Sequence, residues 1–354
     1  MALNEQPSFH RAREKTLGVP ELIAIALGGM VGGGIFTILG ISVSMIGAYT
    51  PLAIIIGGFI ALLASYSYIK LGVYYKDEGA TYSFYKRTFT ESHFAASLIG
   101  WCVIFGYIST LALYAYTFSS YAISNFDFAD NEWIRKLVAG LVILTFTLIN
   151  LWSVKGMGKI EDLMVYSKLI ILVVISFVLI NNSQTSLPEL LHNEQNTSIL
   201  SILIVASLTF VAYEGFQLVI NAVNEMEHPE FNIPKSIYSA IFLAILIYVV
   251  AIPFKEIIDK QEYALAAGAN HTLGHWGTDL VIIGALLATS SAISGTLFGA
   301  SRQMAIIAQD GYFPSILAKR SGQIPSAAII GMSILAFLLI LAGSLRVILE
   351  FGSI

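Results

Sequence analysis

The stretch Leu27-Gly-Gly-Met-Val-Gly-Gly-Gly-Ile-Phe36 places five glycines within seven residues, inside a long apolar segment. No Asp, Glu, Lys or Arg occurs between Glu21 and Lys70, so the glycines lie far from any charged residue. Each glycine in a helix interior costs about 1 kcal/mol relative to alanine. The cluster therefore predicts that the first apolar helix of the chain is interrupted near its middle.

The composition of the whole chain indicates the medium that surrounds this helix. Of 354 residues, 56% are hydrophobic and only 12% are charged, and the mean hydropathy is +0.76. Soluble domains average about 25% charged residues, so too few polar side chains remain here to cover a water-facing surface. We therefore predict an integral membrane protein. The formal charge of −4 argues against a nucleic-acid partner, and the single cysteine, Cys102, cannot form an internal disulfide.

Charge-free segments predict the number of membrane spans, since a hydrocarbon core about 30 Å thick needs about 20 apolar helical residues. The segment between Glu21 and Lys70 accommodates two helices joined by a turn at residues 47–51. Seven further spans are predicted at 95–124, 134–152, 160–181, 198–224, 236–254, 277–301 and 326–345. The residues after Arg346 are typical of the first turns of a tenth helix. The predicted fold is all-α.

Lysine and arginine residues in short loops predict the orientation, because cytoplasmic loops carry an excess of positive charge. With the N-terminus inside, 13 of the 19 Lys and Arg residues lie in predicted cytoplasmic loops, five lie outside, and Lys168 lies within a span. We therefore expect a multi-pass protein of the cell (plasma or inner) membrane. Residues 1–16 form its cytoplasmic N-terminal tail, and the polar loop 182–197 lies outside.

A second interruption is predicted in span 6, where Phe210-Val-Ala-Tyr-Glu-Gly-Phe-Gln217 places Glu214 beside Gly215. An ionisable residue at membrane depth by default marks a functional site that faces the protein interior. Two structural alternatives stay open: Glu214 could hydrogen-bond to a neighbouring span, and the glycines of span 1 could serve close helix packing. Nucleotide-binding loops need a preceding strand or a Gly-Lys-Ser/Thr motif, which are absent, so no cofactor is predicted.

Lys168 lies in span 5, too deep for its side chain to reach the cytoplasmic interface comfortably. A buried ammonium group needs oxygen partners. The polar run Thr289-Ser-Ser291 in span 8 could supply them. The alternative is that Lys168 reaches Glu161 or Asp162 and only anchors its helix.

The two interruptions occur in spans 1 and 6, five spans apart, and these spans cross the membrane in opposite directions. Such paired broken helices indicate an inverted-repeat secondary transporter. We expect a first repeat at 17–181 and a second at 198–354 that ends at the start of span 10. Free N–H groups at a half-helix start bind an anion, and free carbonyl groups at a half-helix end bind a cation. A zwitterionic amino acid is therefore the predicted ligand.

Four segments in order resemble the amino acid–polyamine–organocation superfamily of permeases. They are Gly28-Gly-Met-Val-Gly-Gly-Gly-Ile-Phe36, Glu78-Gly-Ala80 with Tyr82, Phe210-Val-Ala-Tyr-Glu-Gly-Phe216 with Asn224-Glu-Met-Glu-His-Pro229, and Ala288-Thr-Ser-Ser-Ala-Ile-Ser-Gly-Thr-Leu-Phe-Gly-Ala-Ser-Arg302 with Gln309-Asp-Gly311. The resemblance covers nearly the whole chain. It implies an all-α, LeuT-type five-plus-five inverted-repeat fold with discontinuous helices 1 and 6. Members usually have twelve spans, so the second repeat is expected to be incomplete here.

The resemblance also implies where a substrate binds. The backbone N–H groups of Gly33 and Gly34 would hold a carboxylate. The α-amine would be held by the carbonyl of Met30 and by the break in span 6, which comprises Val211, Ala212, Tyr213, Glu214 and Gly215. Lys168 matches a lysine that replaces a sodium ion between spans 1 and 8 in proton-coupled relatives, and its expected partners are Thr289 and Ser290.

Secondary transport of amino acids across the lipid bilayer, by proton symport or exchange, is the favoured hypothesis. The alternative is a sensor or degenerate permease that binds an amino acid without transporting it. A channel is less favoured because no filter-like repeat is present. An enzyme is also disfavoured, because the six histidines fall in predicted loops or helix ends. His271 and His275 could share a helical face, but without further ligands no metal site is predicted.

Overall fold

The computed structural model describes residues 15–32, 42–43, 45–124, 126–129, 131–181, 197–250 and 275–343. In these residues the regular structure is helical, and pairing of extended backbone is limited to two isolated bridges. The α-helices are α1 (Val19–Met30), α2 (Thr50–Tyr75), α3 (Ala80–Thr88), α4 (His93–Ile123), α5 (Glu132–Trp152), α6 (Val154–Asn181), α7 (Ile199–Val211), α8 (Leu218–Asn221), α9 (Pro229–Val250), α10 (His275–Gln309) and α11 (Ser326–Ala342). Short 3-10 turns occupy Gly47–Tyr49 and Ser315–Ala318.

Within the described ranges, nine of these helices occupy the positions of the nine predicted spans in order, and the short helices α3 and α8 are additional. Five of them, α2, α4, α5, α9 and α10, are long and apolar enough to cross a membrane. The shorter apolar helices α1, α7 and α11 occupy the positions of spans 1, 6 and 9, and α6 occupies that of span 5. The prediction of an all-α membrane protein is therefore confirmed. The division into repeats at 17–181 and 198–354 stays a prediction, and residues 344–354, with the expected tenth helix, lie outside the described residues.

Several helix ends differ from the predicted bounds. Span 8 was expected to end at residue 301, but α10 continues to Gln309 because its last turns still bury apolar side chains such as Met304 and Ile307. Span 7 was expected from residue 236, but α9 already begins at Pro229, since proline is tolerated in the first turn of a helix. The predicted turn at 47–51 is present: Gly47 has φ of 49°, and Pro51 lies in the first turn of α2.

The centre of the molecule is α10, which packs against α1, α4, α5, α6 and α11. In its most apolar window 72% of the residues are buried, compared with 39% or less in the other four long helices. Outer helices instead expose large apolar side chains, such as Phe59 and Leu63 on α2 and Leu141 and Leu148 on α5. Such extended apolar surface suits a lipid environment. The polar residues of α10 are therefore held in the interior, where α1 and α6 meet it.

Candidate functional site

The first predicted interruption lies at the end of α1. The helix ends at Met30, and the N–H of Val31 donates to the carbonyl of Leu27 at 2.8 Å. The predicted carboxylate donors, Gly33 and Gly34, lie outside the described residues. The part of the site that the structure describes is therefore the C-terminal end of α1, with its carbonyl groups.

The second predicted interruption lies between α7 and α8. Helix α7 ends at Val211, and residues 212–217 form successive turns before α8 begins at Leu218. The N–H of Gly215 donates to Oε1 of Gln217 at 2.9 Å, so a side chain satisfies a backbone group that leaves the helix. Gly215 has φ of 131°, which other residues rarely adopt. The turn at membrane depth therefore depends on glycine.

The two interruptions touch each other through glycine backbone. A β-carbon added at Gly215 would lie 2.5 Å from the carbonyl carbon of Gly29 and 2.6 Å from the nitrogen of Met30. A β-carbon at Gly29 would in turn lie 2.9 Å from the α-carbon of Gly215. These glycines allow a close approach that any side chain would block. Close packing, the structural alternative for the glycine cluster, therefore accounts for Gly29.

The hydroxyl of Tyr248 on α9 links the two broken helices. It lies 2.8 Å from the carbonyl oxygen of Met30 and 2.9 Å from that of Ala212, and the side chain is buried. A phenol has one hydrogen to donate, so the two carbonyls share it. Sequence reasoning missed Tyr248, since a tyrosine in an apolar span carries no distinguishing signal. Tyr213, by contrast, directs its hydroxyl away to the carbonyl of Ile54 on α2 at 3.0 Å.

Glu214 lies in the turn between α7 and α8, and its side chain is exposed. It interacts electrostatically with the phenols of Tyr107 and Tyr114 on α4. The Tyr114 hydroxyl donates to the carbonyl of Gly29 at 3.3 Å. Glu214 therefore faces α4 close to the end of α1, and a role for it in substrate or proton binding stays a prediction.

Lys168 on α6 is completely buried between α1 and α10. Its Nζ donates to the carbonyls of Val31 at 2.7 Å and Leu27 at 3.3 Å, and to Oγ of Ser291 at 2.6 Å. Lys168 is thus buried against the expected elements, but its side-chain partner is Ser291. The predicted partners Thr289 and Ser290 do not bond to it, and Thr289 donates to the carbonyl of Ala285 in its own helix at 2.7 Å. Successive residues of an α-helix are rotated by about 100° about the helix axis, so neighbouring residues face different helices.

The hydrogen bonds of Lys168 do not extend to Glu161 or Asp162, which were its alternative partners. Glu161 lies two turns before Lys168 on α6 and is also completely buried. Neither of its carboxyl oxygens makes a hydrogen bond with a residue that the structure describes. The site therefore contains a buried cation on neutral oxygens and a separate buried carboxyl group.

A layer of charged side chains lies on the side of the molecule that carries Thr16 and Leu17. We call it the ion-pair layer, and its members are Asp77, Glu78, Lys86, Arg87, Glu225, Arg302, Asp310 and Arg320. The pairs are Asp77 with Arg87, Glu78 with Arg320, Lys86 with Asp310, and Glu225 with Arg302. Sequence reasoning missed these pairs, and three of the four join distant parts of the chain.

The pair between Glu225 and Arg302 is the deepest of the layer. Both Nε and Nη2 of Arg302 lie 3.1 Å from Oε1 of Glu225, and the third guanidinium nitrogen, Nη1, donates to the carbonyl of Phe298 at 2.9 Å. The carbonyl of Glu225 also accepts from the N–H groups of Thr16 and Leu17, at 3.0 Å each. This pair therefore ties the N-terminal segment, the turn after α8 and α10 together.

Tyr82 on α3 connects that helix to the loop after α10. Its hydroxyl donates to Oδ2 of Asp310 at 2.7 Å. Burial and the neighbouring carboxylate both raise the pKa of Tyr82 well above its usual value. The phenol therefore stays protonated and acts as a fixed donor in the ion-pair layer.

Helices α1 and α7 thus end close to each other, and buried polar groups join these ends to α9, α6 and the central helix α10. The solved structure of MhsT in complex with L-phenylalanine has the same fold, LeuT-type, with a TM-score of 0.67 at 12% identity, covering 96% of this chain and 81% of that one. The model of the amino acid permease family matches residues 17–354, and the chain belongs to this family.

Individual relatives agree with this assignment. An uncharacterized protein of Methanocaldococcus jannaschii is 29% identical over 87% of this chain and 72% of its own length. The inner membrane transport protein YbaT of Escherichia coli is 28% identical over 86% and 72%, and the branched-chain amino acid permease BcaP of Bacillus subtilis is 26% identical over 88% and 71%. Family and relatives indicate amino-acid transport. The protein is a multi-pass membrane permease rather than an enzyme.

Proposed function

We propose that this permease is a secondary active transporter that moves an amino acid by alternating access and couples its movement to protons, as a symporter or an exchanger. The observation that carries the proposal is the set of oxygens around Lys168. They come from the broken end of α1 and from α10, and the ammonium group donates to all three. A change in the position of α1 therefore changes the partners of a buried charge.

The chemistry of these three partners explains why sodium is not expected to drive transport. Two carbonyl oxygens and a hydroxyl are the hard, neutral ligands that an alkali cation also prefers. An ammonium group with three donors satisfies the same oxygens. Lys168 would therefore occupy the position of the ion and leave no room for it. A proton that binds to or leaves a buried group beside the lysine would change the charge there instead.

The substrate is proposed to bind across the two breaks. Its carboxylate would bind the N–H groups of Gly33 and Gly34, and its amine would bind the carbonyls of Met30 and of the break at 211–215. The Tyr248 hydroxyl supports this position, because it holds the carbonyls of Met30 and Ala212 within 2.9 Å of one donor. A substrate amine between these two carbonyls could donate to both, because they share only the single hydrogen of the Tyr248 hydroxyl.

The ion-pair layer is proposed to close the cytoplasmic side of the substrate path. It joins the N-terminal segment, α3, the turn after α8 and the end of α10. The excess of lysine and arginine on this side supports the orientation. Release of a substrate to the cytoplasm would require these pairs to separate, including Glu225 from Arg302.

Uptake by the full chain in proteoliposomes tests the coupling. Labelled amino acids would be offered under a proton gradient or a sodium gradient, applied separately. We expect accumulation under the proton gradient alone, and we expect Lys168→Met to abolish it. Lys159→Met is the matched control, since Lys159 lies on the same helix with its side chain exposed. A requirement for sodium in the native protein would contradict the proposal.

Binding is tested separately from transport with Gly34→Val. We expect this variant to lose thermal stabilisation by the amino acid that the native protein binds, because a side chain would crowd the backbone donors. Gly106→Val is the control, since a β-carbon at Gly106 meets no atom within 4 Å. Normal binding by Gly34→Val would overturn the carboxylate position. Binding without uptake in the native protein would favour the sensor alternative.

A further inference from the structure

Glu161 lies in the space that two glycines leave between α1, α6 and α10. A β-carbon added at Gly28 on α1 would collide with Oε1 of Glu161, and one added at Gly295 on α10 would lie 3.8 Å from the same oxygen. The carboxyl group therefore lies directly against the backbone of α1, two residues before that helix ends at Met30. Its position is built by the packing of three helices and is closed to solvent.

The carboxyl group has no charged hydrogen-bond partner among the described residues. The hydroxyl of Ser294 on α10 lies beside it, but neither carboxyl oxygen forms a hydrogen bond of good geometry there. Burying an ionised carboxylate without partners is far more costly than burying a neutral acid. The nearby C-terminal end of α1 adds partial negative charge, which disfavours an anion further. This arrangement therefore favours the protonated form of the acid.

The charged groups that act on Glu161 are Lys168 and Asp162, both on its own helix. On α1, Glu21 lies beside Asp162. On α10, the guanidinium of Arg302 is already bound to Glu225. Lys168 is thus the cation that would stabilise an ionised Glu161, and its hydrogen bonds are directed to α1 and Ser291 instead.

We propose that Glu161 is the group that carries the transported proton, while Lys168 serves as the fixed cation beside it. The inference rests on the proposed proton-coupled transport and names its proton site. Both side chains contact the last turn of α1, Glu161 at Gly28 and Lys168 at Leu27 and Val31. Movement of this turn would free the carboxyl group from the helix end and expose it to Lys168. The acid would then release its proton to water and remain as the carboxylate beside the ammonium.

The first experiment detects the proton directly. Infrared spectra of the purified full chain in heavy water would show the carbonyl stretch of a buried protonated acid. We expect part of this band to disappear in Glu161→Gln and to persist in Asp162→Asn, which changes the neighbouring carboxyl group on the same helix. An unchanged band in Glu161→Gln would overturn the proposal, whatever the transport activity of the variant.

The second experiment separates proton carriage from substrate movement. Glutamine imitates the protonated acid in shape, so we expect Glu161→Gln to retain exchange of labelled for unlabelled amino acid and to lose accumulation driven by a pH gradient. Glu161→Asp, which can still be protonated, is expected to retain some accumulation. Accumulation in Glu161→Gln equal to that of the native protein would overturn this assignment alone. If uptake by the native protein does not respond to the pH gradient, the proposed coupling itself is overturned. If sodium stimulates uptake and this stimulation depends on Glu161, the site binds a metal cation instead of a proton.

Discussion

Two buried cations of this permease are held in opposite ways. Arg302, 2% exposed, is bound to the carboxylate of Glu225, whereas Lys168, 0% exposed, is bound to two carbonyls and a hydroxyl. A paired charge is compensated in place, so the pair fastens the elements that carry it. A lysine bound only to neutral oxygens has no carboxylate among its hydrogen-bond partners, so its stability depends on the positions of those oxygens. The ion-pair layer is therefore suited to stabilise one conformation, whereas the hydrogen bonds of Lys168 would change whenever α1 moves.

The strongest test of this contrast is Arg302→Met. It leaves the buried carboxylate of Glu225 without the guanidinium, and breaking a buried pair in this way typically costs about 3–5 kcal/mol. We expect a loss of that size in the unfolding free energy, measured by chemical denaturation in detergent. The double variant Arg302→Met with Glu225→Gln should recover most of the loss. If Arg302→Met is as stable as the native protein, the ion pair does not stabilise the fold.

The second prediction concerns the contact between the two breaks. Gly215→Ala would require a strained backbone angle and would push against Gly29, so we expect a loss of about 2–4 kcal/mol. Gly106→Ala in α4 is the control and should be neutral or slightly stabilising, because its β-carbon enters open space. Thermal unfolding of both variants measures the difference. Equal stability of the two would mean that the breaks do not need to touch.

Lys168→Met tests the other buried cation, and its expected effect is larger on transport than on stability. The variant removes three hydrogen bonds but leaves no buried carboxylate bound to the lost group, so we expect a stability loss of only about 1–3 kcal/mol. Proton-driven uptake should nevertheless disappear. Parallel denaturation and uptake measurements on Lys168→Met and Arg302→Met would test this separation. A larger stability loss for Lys168→Met than for Arg302→Met would contradict it.

The smallest expected effect is that of Tyr248→Phe. The variant removes one donor shared by the carbonyls of Met30 and Ala212, and one hydrogen bond contributes about 1 kcal/mol. We expect a small decrease in thermal stability and a change in amino-acid affinity, measured by a binding titration. Tyr213→Phe is the matched control, since it also removes one hydroxyl that donates to a backbone carbonyl. Equal affinity in the native protein and both variants would exclude Tyr248 from the substrate site.

Features that depend on local sequence were predicted well. The spans follow from charge-free length, and the turn before α2 follows from Gly47 and Pro51. The burial of Lys168 follows from its position within an apolar span. Even here the helix ends were uncertain by up to eight residues, as at Gln309, because apolar residues continue past the charged residue Arg302 at the predicted end.

Features that depend on side-chain direction could not be predicted. Ser291, rather than Thr289 or Ser290, contacts Lys168, and this choice depends on the rotation of α10 about its axis. Tyr248, Glu161 and the pair of Glu225 with Arg302 each join residues from distant parts of the chain, and no spacing in the sequence indicates such contacts.

The sequence by itself determined that this protein is a helical membrane protein, with a glycine-rich segment in its first span and a lysine within an apolar one. These properties follow from the hydrocarbon thickness and from the cost of glycine and charge within it, which act on each segment separately. Only the tertiary structure decided which groups meet: Gly29 with Gly215, Lys168 with Ser291, and Glu161 with Gly28. The reason is that such contacts depend on the relative rotation and position of packed helices, which are set by the fit of all their side chains together.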